Sequence, residues 1–324
     1  MTYLVTGGAG FIGSHLAEAL LRRGKRVRVV DNLSTGTRQN LEFLKGLGGD
    51  LDVVEADLND PDAARQACAG VDVAFHLAAL PSVARSVEFP ITSNAANVTA
   101  TVQLLCAARA AGVRRIVYAA SSSAYGDRGA ESARARDRVV IKRESMPARP
   151  LSPYAVAKLA GEYYTQVFHC VYSVETVCLR YFNIFGPRQS PFSAYGAAIP
   201  KFATAILRGE RPLVYGDGKQ SRDFTYVDNA VAANLLAASA PKKRVSGEVF
   251  NVACGQNATL LDVIERLNRL IGADIQPKFA APRAGDVRHS KADISKARRL
   301  LGYRSKISLA EGLERTVEWL RATV

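Results

Sequence analysis

The sequence predicts an α/β fold in which a doubly wound parallel sheet is followed by a smaller C-terminal α/β region. Short apolar runs alternate with segments of helical periodicity through the first 180 residues, and short connections join them. Such alternation indicates parallel strands that are covered by helices on both faces. The 324 residues are 48% hydrophobic and 23% charged, an ordinary globular composition with enough apolar residues for a large core.

The elements of the first half follow one another in a regular order. The predicted strands are Tyr3–Thr6, Arg26–Val30, Leu51–Ala56, Val73–Leu77, Arg115–Ala120 and Thr176–Arg180. The predicted helices, in which apolar residues recur every three or four positions, are Phe11–Arg23, Ala95–Ala111 and Tyr154–Val171. Residues 1–182 are therefore expected to form the first domain.

The pattern becomes less regular after Asn183. Proline and glycine interrupt it at Gly186-Pro187 and again at Gly216-Asp217-Gly218. Helical periodicity returns in the segments Val227–Ala238, Leu260–Ile271, Ile294–Leu301 and Leu309–Leu320. We expect residues 183–324 to form most of a smaller substrate-binding domain, with a segment near 225–253 returning to the first domain.

Composition limits the location and the partners. The five cysteines include no Cys-x-x-Cys pair and the four histidines are scattered, so neither a disulfide framework nor a metal site is expected. No leader or apolar run of about 18 residues is evident, which favours a cytoplasmic protein with no membrane contact. The net charge of +13 suits a phosphate-bearing substrate. The basic stretch 134–149 lacks aromatic residues, so we interpret it as a solvated loop and expect no nucleic-acid partner.

The turn after the first strand has the features of a nucleotide site. Gly7, Gly10 and Gly13 stand three residues apart between a predicted strand and a predicted helix. Glycine lets the backbone approach a pyrophosphate, and the helix start offers free N–H groups to the phosphates. Asp31, at the end of the second strand, is placed to accept both ribose hydroxyls and to repel a 2′-phosphate. The expected cofactor is therefore NAD rather than NADP.

A tyrosine and a lysine one helical turn apart supply the predicted chemistry. Tyr154 and Lys158 lie on one helix face, so the ammonium and an oxidised nicotinamide ring are expected to lower the pKa of the phenol. Ser121, Ser122 and Ser123 follow the fifth strand, at the sheet edge where ligands collect. One of these hydroxyls is expected to hydrogen-bond the reacting oxygen.

These motifs resemble the extended short-chain dehydrogenase/reductase family and, within it, the nucleotide-sugar 4-epimerases with their Rossmann domain. The similarity runs over essentially the whole chain and includes the glycine loop, the Tyr154/Lys158 pair and the segment Leu179–Asn183. The nearest likeness is to UDP-N-acetylglucosamine 4-epimerases. It rests on the segments Ser121–Asp127, Leu151–Tyr154 and Gly285–Ser290.

The resemblance implies roles for individual residues. Tyr154 is the expected acid and base, Lys158 tunes it and holds the nicotinamide ribose, and Ser121 is the expected catalytic serine. The further residues expected at the NAD site are Phe11, Ile12, Asn32, Asp57, Leu58, Leu77, Ala78, Ala79, Asn97 and Phe182. The residues expected to contact the UDP-sugar are Ser122, Ser123, Asn183, Tyr215, Arg222, Arg283, Asp286 and Ser290.

The implied activity is inversion at C4 of a UDP-sugar by transient oxidation and re-reduction on one NAD. Ser122 and Ser123 stand where related dehydratases and decarboxylases carry an acidic residue, which favours epimerisation. Ser290 stands where simple UDP-glucose epimerases have a bulky tyrosine, which leaves room for an N-acetyl group. The expected pair is UDP-N-acetylglucosamine and UDP-N-acetylgalactosamine, with UDP-glucose and UDP-galactose also open.

Two alternative functions stay open at this point. Arg85 is placed to hold a C6 carboxylate, which would make the substrate UDP-glucuronic or UDP-N-acetylglucosaminuronic acid. A non-catalytic NAD-binding protein is the remote alternative. Relatives usually pair through the two helices that correspond to Ala95–Ala111 and Tyr154–Val171, so a homodimer is expected.

Overall fold

The computed structural model describes residues 1–127, 139–191, 197–282 and 287–323. The strands in chain order are β1 Thr2–Thr6, β2 Arg26–Asp31, β3 Leu51–Glu55, β4 Val73–His76, β5 Arg115–Ser121, β6 Ile141–Lys142, β7 Glu175–Tyr181, β8 Ile184–Phe185, β9 Leu213–Tyr215, β10 Ser221–Arg222, β11 Thr225–Tyr226, β12 Glu248–Val252, β13 Ala258–Thr259, β14 Lys278–Ala280 and β15 His289–Ala292.

The helices alternate with these strands along the chain. They are α1 Phe11–Leu21, α2 Arg38–Gly46, α3 Pro61–Cys68, α4 Val83–Glu88, α5 Pro90–Asn94, α6 Ala100–Ala110, α7 Pro153–Tyr172, α8 Ala198–Leu207, α9 Val227–Ser239, α10 Lys242–Val245, α11 Leu260–Ile271, α12 Ser295–Leu301 and α13 Leu309–Thr323. None of the helices in the described ranges is long and apolar enough to cross a membrane.

A seven-stranded parallel sheet forms the centre of the first half. Its spatial order is β12-β7-β5-β4-β1-β2-β3, and every neighbouring pair is parallel. The chain moves outward from β1 through β2 and β3, then crosses back to β4 on the other side of β1. The crevice between the ends of β1 and β4 is therefore the switch point, where ligands bind in sheets of this kind.

Apolar clusters cover both faces of this sheet, as the doubly wound prediction requires. On one face α1 and α9 pack together, and Leu16, Val29 and Phe250 belong to the same buried cluster. On the other face α3 packs on α6, and Leu104 lies in a second cluster with Ile116. The predicted fold class is confirmed.

A third apolar cluster lies in the C-terminal half, where α8, α11 and α13 pack on one another. Helix α11 begins with a capping box, in which Thr259 and Asp262 each accept a hydrogen bond from the other's backbone amide. Strands β13, β10, β15 and β6 form a small sheet beside this cluster. Strand β12, by contrast, extends the central sheet at β7.

Two local predictions differ from the structure. The helix expected at Ala95–Ala111 starts earlier, at α5, and its residues Ala95–Thr99 form a π-helical turn before α6. Within the basic stretch 134–149, residues 139–149 are described, and they are not simply a solvated loop. Lys142 in β6 is only 2% exposed and donates to the Gly126 carbonyl at 2.7 Å, because β6 pairs with β15 across a buried edge.

Candidate active site

The glycine loop is a tight turn that joins β1 to α1 at the switch point of the sheet. Gly7 has a φ of +70°, and the Gly10 amide donates to the Gly7 carbonyl at 3.1 Å. A Cβ on Gly13 would overlap that carbonyl oxygen, so only glycine lets α1 approach the loop this closely. The first N–H groups of α1 lie at this turn, which fits the pyrophosphate of a dinucleotide.

Asp31 shapes the loop from the end of β2. Its carboxylate accepts hydrogen bonds from the amides of Ala9 at 3.0 Å and Leu33 at 2.8 Å. Burial raises the pKa of Asp31, although these backbone hydrogen bonds act to lower it. The exposed Asn32 donates to Asp57 at 2.9 Å, so the ends of β2 and β3 are linked where the adenosine half is expected.

The segment after β4 forms the wall opposite Asp31. Leu77, Ala78 and Ala79 are half-buried, and the Ala78 amide donates to the Thr6 hydroxyl at 3.2 Å. A Cβ on Gly7 would lie 2.8 Å from the Ala78 nitrogen, so the two segments are in close contact. The start of α1 and the turn after β3 add the half-buried Phe11 and Ile12 and the almost fully buried Leu58.

Two residues expected to contact NAD have other roles in the structure. The Asn97 side chain bonds both backbone groups of Leu80, accepting from its nitrogen at 2.9 Å and donating to its oxygen at 3.3 Å. Asn97 therefore supports the wall after β4. Phe182 has no exposed surface and packs 6.1 Å from the Tyr125 ring. The contact between NAD and Phe182 therefore stays a prediction.

Tyr154 is fixed at the start of α7 by two serines. The Ser152 hydroxyl caps the helix by accepting from the Ala155 amide at 3.2 Å, and Pro153 occupies the first helical position. The Tyr154 amide donates to the hydroxyl of Ser86 in α4 at 3.0 Å. The Ser121 side chain lies close enough to the Tyr154 phenol to act on its pKa. The structure therefore brings together the predicted serine and tyrosine.

The serine run turns at the end of β5. Ser121 is the last residue of the strand, and residues 122–125 form a 3₁₀ turn. The Ser121 hydroxyl accepts from Ser123 twice, from its hydroxyl at 2.8 Å and from its amide at 3.2 Å. Ser122 is half-buried in the same turn. Of the three serines, Ser121 is the one joined to Tyr154.

The electrostatics of Tyr154 differ from the prediction. Burial raises the pKa of Tyr154, and the hydrogen bond with Ser121 lowers it by less. The Lys158 ammonium lies 4.5 Å from the centre of the Tyr118 ring, and burial lowers the pKa of Lys158 to about 7. The expected lowering of the phenol pKa by Lys158 is thus absent from the protein alone, because the ammonium is seated against Tyr118 and desolvation of the phenol dominates.

Several residues expected at the UDP-sugar lie around the small sheet. Arg222 in β10 pairs with Ser290 in β15 in parallel register, and Ser290 is 6% exposed. Asn183 has a φ of +40° and donates to the Asp223 carbonyl at 3.3 Å, while Tyr215 ends β9. The expected positions Arg283 and Asp286 lie outside the described residues.

Sequence reasoning missed one ion pair and one buried carboxylate near these strands. Arg288 forms a bidentate pair with Asp217 at 2.7 and 2.8 Å, and its amide donates to Asp127 at 3.2 Å. The buried Asp223 carboxylate accepts from the amides of Cys254 and Ala292, and burial raises its pKa to about 6. Only the motif Ser221–Phe224 signalled Asp223. No cluster of metal-ligating side chains occurs in the described ranges.

Comparison with known families decides the class of this protein. The NAD dependent epimerase/dehydratase family matches residues 3–253. The chain belongs to this family. Membership confirms the resemblance to the extended short-chain dehydrogenase/reductases, and it confirms NAD as the cofactor that the glycine loop and Asp31 predict.

Three similar proteins cover essentially the whole chain. A UDP-glucose 4-epimerase of Mycolicibacterium smegmatis is 38% identical over 99% of both chains. A UDP-N-acetylglucosamine 4-epimerase of Methanobrevibacter ruminantium, solved with UDP-N-acetylmuramic acid, is 38% identical with a TM-score of 0.90, covering 100% of this chain and 99% of that one. A UDP-glucuronic acid 4-epimerase of Bacillus cereus, solved with UDP-glucuronic acid and NAD, is 32% identical with a TM-score of 0.90 over 100% of both chains. The predicted enzyme class, a nucleotide-sugar 4-epimerase, is confirmed, whereas the sugar differs among these relatives.

Proposed function

We propose that the protein interconverts UDP-N-acetylglucosamine and UDP-N-acetylgalactosamine at C4 with NAD as cofactor, and that it also accepts UDP-glucose and UDP-galactose. The closeness of the Ser121 side chain to the Tyr154 phenol is the observation that carries this proposal. The pair lies at the carboxyl edge of the sheet, on the side of the glycine loop and Asp31. An acid–base group at that edge is placed to act on a sugar carbon next to a dinucleotide.

In the proposed mechanism, Tyr154 moves a single proton to and from the C4 oxygen. Bound NAD⁺ would supply the hydride acceptor and donor for C4, and its positive charge would favour the phenolate form of Tyr154. Ser121 donates a hydrogen bond to the reacting oxygen while Tyr154 removes its proton. After the sugar has turned over, Tyr154 gives the proton back. Arg222 is proposed to hold the diphosphate during that turn.

The serines after Ser121 and the pairing of the nearby Glu162 favour epimerisation over elimination or decarboxylation. Ser122 and Ser123 occupy the positions after Ser121 where an acid would assist those reactions. Glu162, one turn beyond Lys158 on α7, is paired with Arg180 at 2.6 and 2.8 Å and is only 1% exposed. That carboxylate is committed to an ion pair and is not a free acid.

The choice of an N-acetylated sugar rests on the size of one side chain. Ser290 pairs in register with Arg222, one of the residues proposed to hold the UDP group. A small residue at this position leaves space beside the bound nucleotide, whereas a tyrosine would fill it. The likeness to the Methanobrevibacter ruminantium enzyme supports the same substrate.

A second candidate function is 4-epimerisation of a UDP-uronic acid, and Arg85 favours it. Arg85 lies in α4 next to Ser86, whose hydroxyl accepts from the Tyr154 amide. Its half-buried side chain makes no hydrogen bond or ion pair with any described residue. An unpaired guanidinium near Tyr154 is suited to a C6 carboxylate. The likeness to the Bacillus cereus enzyme points in the same direction.

The partner of the protein is proposed to be a second copy of itself. Helix α7 exposes a row of large apolar side chains at helical spacing: Val156, Tyr163, Tyr164, Val167, Val171 and Tyr172. Arg109 of α6 stacks on Tyr172 at 4.0 Å, so α6 and α7 form one continuous surface. Such a surface is suited to the four-helix contact that the resemblance implies.

A substrate panel tests the proposed function. The purified protein is expected to carry about one NAD per chain and to invert C4 of UDP-N-acetylglucosamine, followed by NMR, without added NAD. Fastest conversion of UDP-glucuronic or UDP-N-acetylglucosaminuronic acid would favour the second candidate. Loss of C6 as carbon dioxide, or of water, would overturn epimerisation. Bound NAD without turnover of any of these UDP-sugars would contradict the proposed activity and favour a non-catalytic NAD-binding protein.

A further inference from the structure

The Lys158 ammonium is buried against the face of an aromatic ring. Lys158 is 4% exposed, and its Nζ atom lies 4.5 Å from the centre of the Tyr118 ring in β5. The Tyr118 hydroxyl donates to the Lys158 carbonyl at 3.3 Å, so the same side chain contacts both ends of the lysine. Tyr118 is itself 1% exposed, which fixes the ring firmly.

A glycine makes this arrangement possible. A Cβ on Gly161 would overlap the Tyr118 hydroxyl and would lie 2.7 Å from the ring carbon that carries it. Gly161 therefore allows α7 to pack closely on β5 with the ring beneath Lys158. The close packing restricts how far the ammonium can move from its place one turn beyond Tyr154.

The other groups around Lys158 do not neutralise its charge. In the part of the chain that is described, Nζ has no hydrogen-bond acceptor and no carboxylate within 4 Å. On α7 itself, the charge of Glu162 is matched by Arg180 of β7. From β4, His76 is neutral because burial lowers its pKa to about 3, and from β7, burial raises the pKa of the Cys178 thiol. Glu162 and the Cys178 thiol also favour the ammonium form, and the Tyr118 ring is the group against which Nζ lies.

We propose that Tyr118 is a positioning residue, whose ring face favours the charged form of Lys158 and holds the ammonium in its place one helical turn beyond Tyr154. This proposal rests on the proposed function only where it assigns Lys158 a part in the reaction at Tyr154. Without the ring, the same buried amine would lose a group that compensates part of its desolvation, so its proton would be held less firmly.

The experiment measures the protonation of Lys158 directly by NMR. The protein is labelled with ¹³C-lysine, and the Lys158 Cε signal is assigned by its loss in Lys158→Arg. Four variants are titrated alongside the wild type: Tyr118→Leu, which removes the ring, Tyr118→Phe, which keeps it, and the pair Tyr303→Leu and Tyr303→Phe. Tyr303 is also fully buried and hydrogen-bonded, to the Ala253 carbonyl at 3.0 Å, and serves as the matched control.

We expect Tyr118→Leu to lower the Lys158 titration midpoint by about one pH unit, and Tyr118→Phe to leave it within about 0.3 unit. Both Tyr303 variants should leave the Lys158 titration midpoint unchanged, even if they lower the stability of the protein. In activity assays, Tyr118→Leu should lower kcat most on the alkaline side, with KM for the UDP-sugar unchanged. An unchanged Lys158 midpoint in Tyr118→Leu would overturn the proposal.

A second substitution covers the case in which Tyr118→Leu does not fold. Pentafluorophenylalanine introduced at Tyr118 keeps the ring shape but reverses its electrostatic face, so it should shift the Lys158 midpoint in the same direction relative to Tyr118→Phe. Equal midpoints in these two proteins would contradict the role of the ring. The titration needs no turnover, so an inactive wild type would refute the proposed function without deciding the role of Tyr118.

Discussion

The hydroxyl of Ser123 donates a hydrogen bond to the hydroxyl of Ser121 at 2.8 Å. Ser121 also accepts from the Ser123 amide at 3.2 Å, so its acceptor capacity is used within the turn. The single proton of Ser121 is therefore left to donate toward Tyr154 or the sugar oxygen. Ser123 directs the hydrogen bond that lowers the pKa of the phenol.

Substitutions in the serine run should separate these roles. Ser121→Ala is expected to lower kcat by about 10² to 10³-fold, because the reacting oxygen loses a donor. Ser123→Ala should lower kcat by about tenfold, since Ser121 then has no fixed orientation. Ser122→Ala serves as the control and should change KM more than kcat. A Ser123→Ala effect as large as that of Ser121→Ala would show that Ser123, not Ser121, contacts the reacting oxygen.

The glycine loop predicts how strongly NAD is retained. Gly13→Ala should reduce the NAD content of the purified protein by more than about tenfold, because the new Cβ pushes against the Gly7 carbonyl. Gly46→Ala in α2 is the matched control, since nothing lies within 4 Å of its Cβ. It should keep full NAD and raise stability by about 0.5 kcal/mol. The NAD content of each variant can be measured by absorbance at 260 nm after the protein is denatured. A full complement of NAD in Gly13→Ala would contradict the loop geometry.

His76 makes the stability of the protein depend on acid. Its two ring nitrogens bond Thr6 at 2.8 Å and Thr101 at 2.9 Å, and burial lowers its pKa to about 3. A histidine with a lowered pKa stabilises the fold above the unfolded value near 6.5, and this contribution falls as pH falls. Urea unfolding should therefore lose about 2 kcal/mol more between pH 7 and pH 5 in the wild type than in His76→Gln. Parallel pH dependence in the two proteins would refute this account.

The pocket argument predicts a selective effect of a larger side chain. Ser290→Tyr should reduce kcat/KM for UDP-N-acetylglucosamine by at least about tenfold, because Ser290 is buried beside Arg222 and a ring there would take up the space proposed for the N-acetyl group. Its effect on UDP-glucose should be small. Equal losses of kcat/KM on both substrates, measured by coupled assay, would contradict a role of Ser290 in making space for the N-acetyl group.

The apolar surface of α7 predicts a dimer in solution. Light scattering at micromolar protein should give twice the mass of the 34.9 kDa chain. Val167→Glu should shift the mass toward the monomer, since Val167 is 49% exposed in the middle of the apolar row. Phe279→Glu, at an exposed apolar residue of β14, is the control and should remain dimeric. A monomeric wild type would contradict the proposed contact.

The sequence was sufficient to predict the sheet because its signals are local. The glycine loop, the short apolar strands and the Tyr154/Lys158 spacing each depend on neighbouring residues, and the structure has all of them in the predicted places. Ser121, chosen by the register that the resemblance implies, is the serine whose side chain acts on the pKa of Tyr154, and its catalytic role stays a prediction.

The remaining features depend on contacts between distant parts of the chain. Phe182 is buried in contact with Tyr125, and Lys142 in a basic stretch is buried because β6 pairs with β15. Burial of the phenol raises the pKa of Tyr154, and the Lys158 ammonium lies against Tyr118. Neither feature can be predicted from the spacing of the two residues in the sequence. Such contacts are set by tertiary packing.

The central claim is that Tyr154 moves a proton while C4 gives up its hydrogen and regains it on one tightly held cofactor. Its most direct test is a single conversion of UDP-N-acetylglucosamine in D₂O by the wild type and by Tyr154→Phe, followed by proton NMR. The account predicts an inverted C4 that keeps its original hydrogen, and no inversion in Tyr154→Phe, which retains NAD and UDP binding. Deuterium at C4, or wild-type rates in Tyr154→Phe, would contradict it.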